Sequence, residues 1–141
     1  MSHPVLYTAF VGEVSVRFVE SPIKDAKPDF PWVVIDDLLY ACGYDLRARK
    51  DVAALLYRDC RDRLRPVQIG TGRVVIAPQH IARDVLGAAV KRRIAHPSLV
   101  ADFADAATAA TSRLLGQMAE ARAAAFLIAA RQRWTAEEPV A

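Results

Sequence analysis

Apolar and polar residues change rhythm several times along the chain, and each change marks an element. "VLYTAFV" and "VSVRFV" are rich in β-branched and aromatic residues, and Gly12-Glu13 interrupts them. That pattern predicts a hairpin over roughly residues 4–10 and 14–20. "PIKDAKPDFP" then gathers prolines and charges into a surface loop, and "WVVI" makes a brief third strand. Leu38, Leu39 and Cys42 have the spacing of a buried stripe, predicting a helix over about residues 36–42. Asp36 is its expected N-cap, and Gly43 suits the left-handed position after its end.

A second helix, from about Ala48 to Arg61, is expected to turn Val52, Leu55 and Leu56 inward and Arg49, Lys50, Arg58 and Arg61 outward. "LRPVQIGTGRVVIAP" predicts a second hairpin with "GTG" at its tip. A third helix opens at Pro78, a favoured first helical residue, and runs through Leu86. "KRR", residues 91–93, closes this block.

From Pro97 the pattern changes again, because Ala, Leu, Met and Arg dominate and only one glycine interrupts them before Trp134. A single helix of up to about 37 residues is one expectation. Val100, Ala107, Leu114, Ala121 and Ile128 then recur at heptad spacing, with Ala104, Thr111, Met118 and Ala125 between them. Such a helix would project beyond a small core and offer Leu114, Met118, Ala121, Ala125 and Ile128 to a second copy or another protein. The other arrangement is two helices broken at Gly116 that fold back on the domain. "TAEEPVA" is expected to fray. The elements together predict an α+β domain over about residues 1–96, a helical extension over about 97–135 and a loose tail over 136–141.

The chain has 141 residues, 53% of them hydrophobic, which is enough for one domain with a real core. No apolar run approaches the roughly 20 residues of a bilayer span, so no membrane is expected as partner. "MSHPVLYTAF" lacks the basic start and apolar block of a leader, and Cys42 and Cys60 are the two cysteines, without CxxC spacing. A cytoplasmic protein without disulfides is the expectation. His3, His80 and His96 are scattered, so no metal or cofactor is expected. No GxGxxG, P-loop, GxSxG or HExxH pattern occurs. The acid pairs Asp36-Asp37 and Glu137-Glu138 are adjacent, which on a helix points them about 100° apart. An enzyme is not expected.

Charge alters the picture more than composition does. The net charge is +3, but it is segregated. Residues 1–40 carry three Lys/Arg against six Asp/Glu, residues 41–96 twelve against five, and residues 97–141 four against five, or −3, +7 and −1. A cationic block of this kind suits a polyanion, since several cations must reach phosphates together. Ten of the twelve cations are arginines, whose fork matches a phosphate or a guanine edge. Arg47, Arg49, Lys50, Arg58, Arg61, Arg63 and Arg65 would form one patch, and Arg73, Lys91, Arg92 and Arg93 a second. Asp45, Asp51, Asp59 and Asp62 are near enough to pair with several of them, so about half are expected to touch a ligand. Trp32 reads as core. Tyr44 and Tyr57 read as packing residues or phosphate partners, Gln79 and His80 as caps or groove contacts, and His96 as a linker residue.

One stretch is more specific. "VRFVES" followed by "PWVVIDDLLYACGY" resembles the N-terminal Bro-N domain of phage antirepressors and baculovirus Bro proteins. In that family a strand ends in a Val-Arg step, a Pro-Trp-type strand follows a loop, and an Asp-started helix closes on Gly-Tyr. Val16-Arg17, Pro31 to Val34 and Asp37 to Tyr44 match these parts. "GRVVIAPQHIARDVLGAA" falls where the family has a strand and a short helix. The resemblance covers roughly residues 10–115, most sharply 31–44. It implies a small α+β DNA-binding module of phage or prophage origin, acting in transcription regulation. The expectation is therefore a homodimeric regulator that places its basic middle segment on double-stranded DNA. The alternative is an antirepressor or adaptor that grips another regulatory protein without touching DNA.

Overall fold

The computed structural model describes residues 2–23, 28–116 and 118–137. The fold is mixed α+β. β1 (Val5–Val11) and β2 (Val14–Val19) form the first hairpin, followed by β3 (Trp32–Val34), α1 (Ile35–Cys42) and α2 (Leu46–Cys60). A 3-10 turn over Arg61–Arg63 leads into a second hairpin of β4 (Arg65–Ile69) and β5 (Gly72–Ala77). α3 (Gln79–Lys91), α4 (Ser98–Leu115) and α5 (Glu120–Glu137) complete the chain. The strands make one five-stranded antiparallel sheet in the order β1-β2-β3-β5-β4.

β3 explains why so short a strand is buried on both sides. Its side chains alternate across the sheet, so Val33 joins the helix-covered core with Val16, Phe18, Leu38, Leu86 and Phe103. Trp32 and Val34 face the other way and pack with Val19 and Ile76, beside Val67, Ile69, Val74 and Trp134. Pro66 is tolerated in β4 because that strand lies at the sheet edge.

Both hairpins form where the sequence pattern puts them. Gly12 meets two demands at the first turn: its φ is +63°, and a Cβ there would stand 2.8 Å from a methyl carbon of Leu99. Gly43 closes α1 at φ +102°, donating its N–H to the carbonyls of Leu39 and Tyr40. Leu38, Leu39 and Cys42 are buried as the spacing predicts.

Several expectations change. Asp36 does not cap α1: the helix begins one residue earlier, after Val34, with no side-chain cap, and the Asp36 carboxylate accepts from Arg49 instead. The second helix starts at Leu46, capped by Asp45, whose carboxylate accepts the Ala48 N–H at 2.8 Å. Val52 and Leu56 pack on the core, but Leu55 is 47% exposed, because α2 lies on the margin of the fold and buries no residue completely. α3 continues past Leu86 to Lys91.

The single long helix is not formed. α4 ends at Leu115, Gly116 caps it, and α5 folds back so that Ala130 is buried and Trp134 packs on the sheet. Phe103, Ala106, Ala107 and Ala110 of α4 belong to the same core as β2 and α1, and the Phe103 and Phe18 rings stack at 6.1 Å. The heptad seam is dispersed accordingly. Leu114 is buried, Met118 lies in the α4–α5 connection, and Ala121, Ala125 and Ile128 are exposed on α5. Of the tail expected to fray, residues 138–141 lie outside the described residues.

Candidate nucleic-acid interface

The basic middle segment is organised by the junction of α1 with α2. The guanidinium of Arg17, on β2, holds the Asp37 carboxylate with both arms, at 2.8 and 2.9 Å, and the Arg17 backbone N–H donates to it at 3.0 Å. Asp37 raises the pKa of Arg17, first through this hydrogen bonding and then through its charge, while burial opposes the rise. The Val-Arg strand and the Asp-started helix are therefore clamped together. The Tyr44 N–H closes the turn on the Leu39 carbonyl at 3.2 Å, and α2 departs.

Arg49 faces inward. Its Nε donates to Asp36 at 3.1 Å and its Nη1 to the Tyr44 carbonyl at 2.9 Å, and its guanidinium lies 5.0 Å from the centre of the Tyr40 ring. Only 13% of that side chain is exposed. Arg49 is thus a strut across the α1–α2 turn, and Tyr44 packs against the core beside it.

The other cations of α2 face outward. Arg47, Lys50 and Arg58 are all exposed, and at about 100° per residue they fall within a sector of roughly 80°. Cys60 leaves the helical conformation at φ −129° and ψ 26°, so the stripe ends at Arg58 after about 17 Å of helix, and Arg61 is exposed on the 3-10 turn beyond it. Asp51 lies at its edge, and Arg58 pairs with Asp59 at 3.1 Å on the exposed surface. The first turn of α2 carries no acidic residue but contains Arg47, and Lys50 follows it directly. Cations at a helix N-terminus oppose the helix dipole, so helix stability does not account for this placement.

The end of α3 meets the end of α1. A Cβ on Gly43 would lie 3.7 Å from the Ile94 carbonyl oxygen, within a few residues of Arg47 on one side and of Lys91, Arg92 and Arg93 on the other. Those three are exposed. Arg93 has φ +62°, the conformation in which glycine commonly ends a helix.

The remaining candidates belong elsewhere. Arg73 stands opposite Gln68 near the tip of the second hairpin, where Gly70 N–H donates to Ser2 Oγ and His3 N–H to the Gln68 carbonyl. The sequence grouped it with Lys91 to Arg93, but the two lie on different elements. Arg65 turns back on the Asp62 and Leu64 carbonyls, and Arg63 Nη1 lies 3.2 Å from His80 Nε2. His80 also packs its ring 4.6 Å from that of Trp134, and Gln79 donates to the Pro31 carbonyl at 3.0 Å, so both side chains serve the fold. Tyr57 packs on the core and Trp32 is 1% exposed. His96 is more than a linker: its Nδ1 accepts the Ser98 N–H at 3.1 Å and contacts Ser98 Oγ at 2.8 Å, closing the start of α4.

Asp29, the buried carboxylate behind β3, is a further residue that the sequence pattern did not single out. It accepts from Ser21 Oγ at 2.6 Å, Trp32 Nε1 at 2.7 Å and Trp134 Nε1 at 2.5 Å. Two tryptophans and one Asp in a proline-bounded loop were its only sequence signal. Among the described residues no group of His, Cys, Asp and Glu is arranged to hold a metal ion, and no helix is long and apolar enough to cross a membrane.

No protein-family model, curated protein or solved structure matches the chain.

Proposed function

We propose that this protein is a transcription regulator of phage or prophage type that binds duplex DNA. The α2 stripe of Arg47, Lys50 and Arg58 would contact the duplex, together with Arg61 on the turn that follows and with Lys91, Arg92 and Arg93. The observation that carries this reading is the exposed cationic face of α2, whose first turn opposes the helix dipole. Asp45 caps the start of α2, so the outward side chains of Arg47, Lys50 and Arg58, not the helix N–H groups, would meet phosphate oxygens, and they could follow a backbone or enter a groove. The resemblance of residues 31–44 to the Bro-N family supports the same reading. Arg49 is left as a positioning residue for the turn, and Arg65 and Arg73 stand on the hairpin as a separate group.

The test is fluorescence anisotropy on a pool of short genomic duplexes at two salt concentrations. Native protein should bind with steep salt dependence, each neutralised phosphate adding about 0.9 to the log–log slope. Changing Arg47, Lys50, Arg92 and Arg93 together to Ala should remove most of that slope without unfolding the chain. Salt-insensitive binding, or none, would sink the proposal.

A second reading is favoured by one feature of α5. Ala121, Ala125 and Ile128 share one helical face and are exposed, Ile128 at 58%. An antirepressor or adaptor would use this face to grip a regulatory protein, and a DNA-binding dimer would use it to pair with a second copy. Because α4 contributes to the core, truncation at residue 97 would damage the fold, and Ile128→Glu is the cleaner probe. Loss of partner capture with unchanged melting and unchanged duplex binding would favour this reading.

A further inference from the structure

A cleft runs between α3, α4 and α5. Its larger lobe has a volume of about 530 Å³, with Leu86, Phe103, Ala107, Leu115 and Leu127 in its wall. Its smaller lobe, about 340 Å³, is walled by Asp29, Pro78, His80 and Trp134. Phe30, Gln79, Arg83 and Arg131 belong to both walls, so the lobes adjoin there. Both volumes lie in the range of small-molecule sites.

The chemistry of the walls is uneven, and that unevenness selects a ligand. The larger lobe is mostly aliphatic and aromatic. Thr111, on its rim, already donates its hydroxyl to the Ala107 carbonyl at 2.9 Å. At the junction stand two guanidinium groups, Arg83 from α3 and Arg131 from α5. Arg83 makes no ion pair among the described residues. Gln79 beside it has its amide N–H directed to Pro31. The Asp29 carboxylate in the smaller lobe is occupied by Ser21 and the two tryptophans, and its charge would keep an anion on the Arg83 side. An apolar chamber with a cationic neck fits a molecule that is apolar along its length and anionic at one end. A guanidinium pairs best with a planar carboxylate, which it can hold with two parallel hydrogen bonds.

We propose that this cleft binds an amphipathic aliphatic carboxylate, its chain in the lobe lined by Leu86, Phe103 and Leu127 and its carboxylate at Arg83. The inference stands apart from the DNA-binding reading, since none of the residues proposed to contact DNA lines the cleft. Because α5 forms one wall, an occupied cleft would hold α5 against α3 and α4.

Isothermal titration calorimetry on the full chain tests it, with decanoate as the probe below its micelle-forming concentration and decanol as the neutral counterpart. Decanoate should bind saturably at one site, and decanol at least ten-fold more weakly. Arg83→Gln should weaken decanoate at least ten-fold while leaving decanol unchanged, because Arg83 is exposed and its replacement removes only the charge. Thr108→Trp, which fills the larger lobe from α4, should abolish binding of both. No saturable heat with decanoate overturns the proposal, as does equal binding of decanoate and decanol. Undiminished decanoate binding by a folded Arg83→Gln protein overturns it as well.

Discussion

Trp32 and Trp134 are joined by one carboxylate: their indole N–H groups donate to the two oxygens of Asp29, and their ring centres lie 6.5 Å apart. Trp32 belongs to the middle strand of the sheet and Trp134 to the last helix, so this bridge fastens α5 to the sheet face that the other helices leave uncovered. Trp134→Phe keeps an aromatic ring and removes one donor. It should lower stability by about 1.5–3 kcal/mol, the usual range for a hydrogen bond to a charged group. A reduced urea midpoint at unchanged m-value is the expected result, and an unchanged midpoint would show that the bridge carries no stability.

Arg49 and Arg47 should separate structure from surface. Arg49→Gln removes the pair with Asp36, the bond to the Tyr44 carbonyl and the stacking on Tyr40. A loss of about 1–3 kcal/mol is expected. Arg47→Ala, on the exposed stripe, should stay within about 0.5 kcal/mol of the native protein. Thermal or urea unfolding of the two variants checks the difference, and equal losses would contradict the strut assigned to Arg49.

Arg93 should respond with opposite signs in two assays. Its φ of +62° costs a side-chain-bearing residue about 1 kcal/mol or more, and glycine adopts it freely. Arg93→Gly should therefore raise stability by about 0.5–1 kcal/mol once the greater freedom of the unfolded glycine is counted. The same change should weaken duplex binding and lower its salt slope by about 0.9 if Arg93 neutralises one phosphate. A gain in stability together with unchanged salt dependence would remove Arg93 from the proposed contact surface.

Gly12 should be hard to replace. In Gly12→Ala a left-handed φ and the 2.8 Å approach to Leu99 act together, so a loss of about 1–3 kcal/mol is expected. Because Leu99 opens α4, amide exchange should rise at the first turn of that helix as well as in the hairpin. Protection confined to native levels in α4 would mean that Leu99 moves aside without consequence.

The two thiols should differ in reactivity. Burial pushes the Cys42 thiol up to about 11 from an ordinary 9.0, whereas Cys60 is only half-buried. A thiol reagent at pH 8 should modify Cys60 in the native protein and reach Cys42 only on unfolding. The raised pKa also sets a direction with pH. The folded state holds the proton more tightly, so this contribution is intact below 9.0 and is lost as pH rises toward 11. Cys42→Ala should flatten the alkaline decline in stability relative to the native chain.

Much of the fold was legible locally. The two hairpins, the three-residue strand, the burial of Leu38, Leu39 and Cys42 and the end of α1 at Gly43 follow from period-two alternation, helical spacing and one left-handed residue. These are short-range preferences of neighbouring residues, and neighbours are what a sequence displays. The segregation of charge into residues 41–96 was equally plain. Only the tertiary structure decided which of those cations are exposed: Arg49 turns in to Asp36 and Tyr44, while Arg47, Lys50, Arg58 and Arg61 remain outside. It also decided that the Ala-rich segment folds back at Gly116, since a heptad spacing is equally compatible with a partner helix and with the protein's own core. Asp29 accepts from Trp134, 105 positions further along the chain, and Ala130 is buried with it in the folded-back arrangement. Contacts at that separation depend on where whole elements come to rest, and no local pattern encodes them.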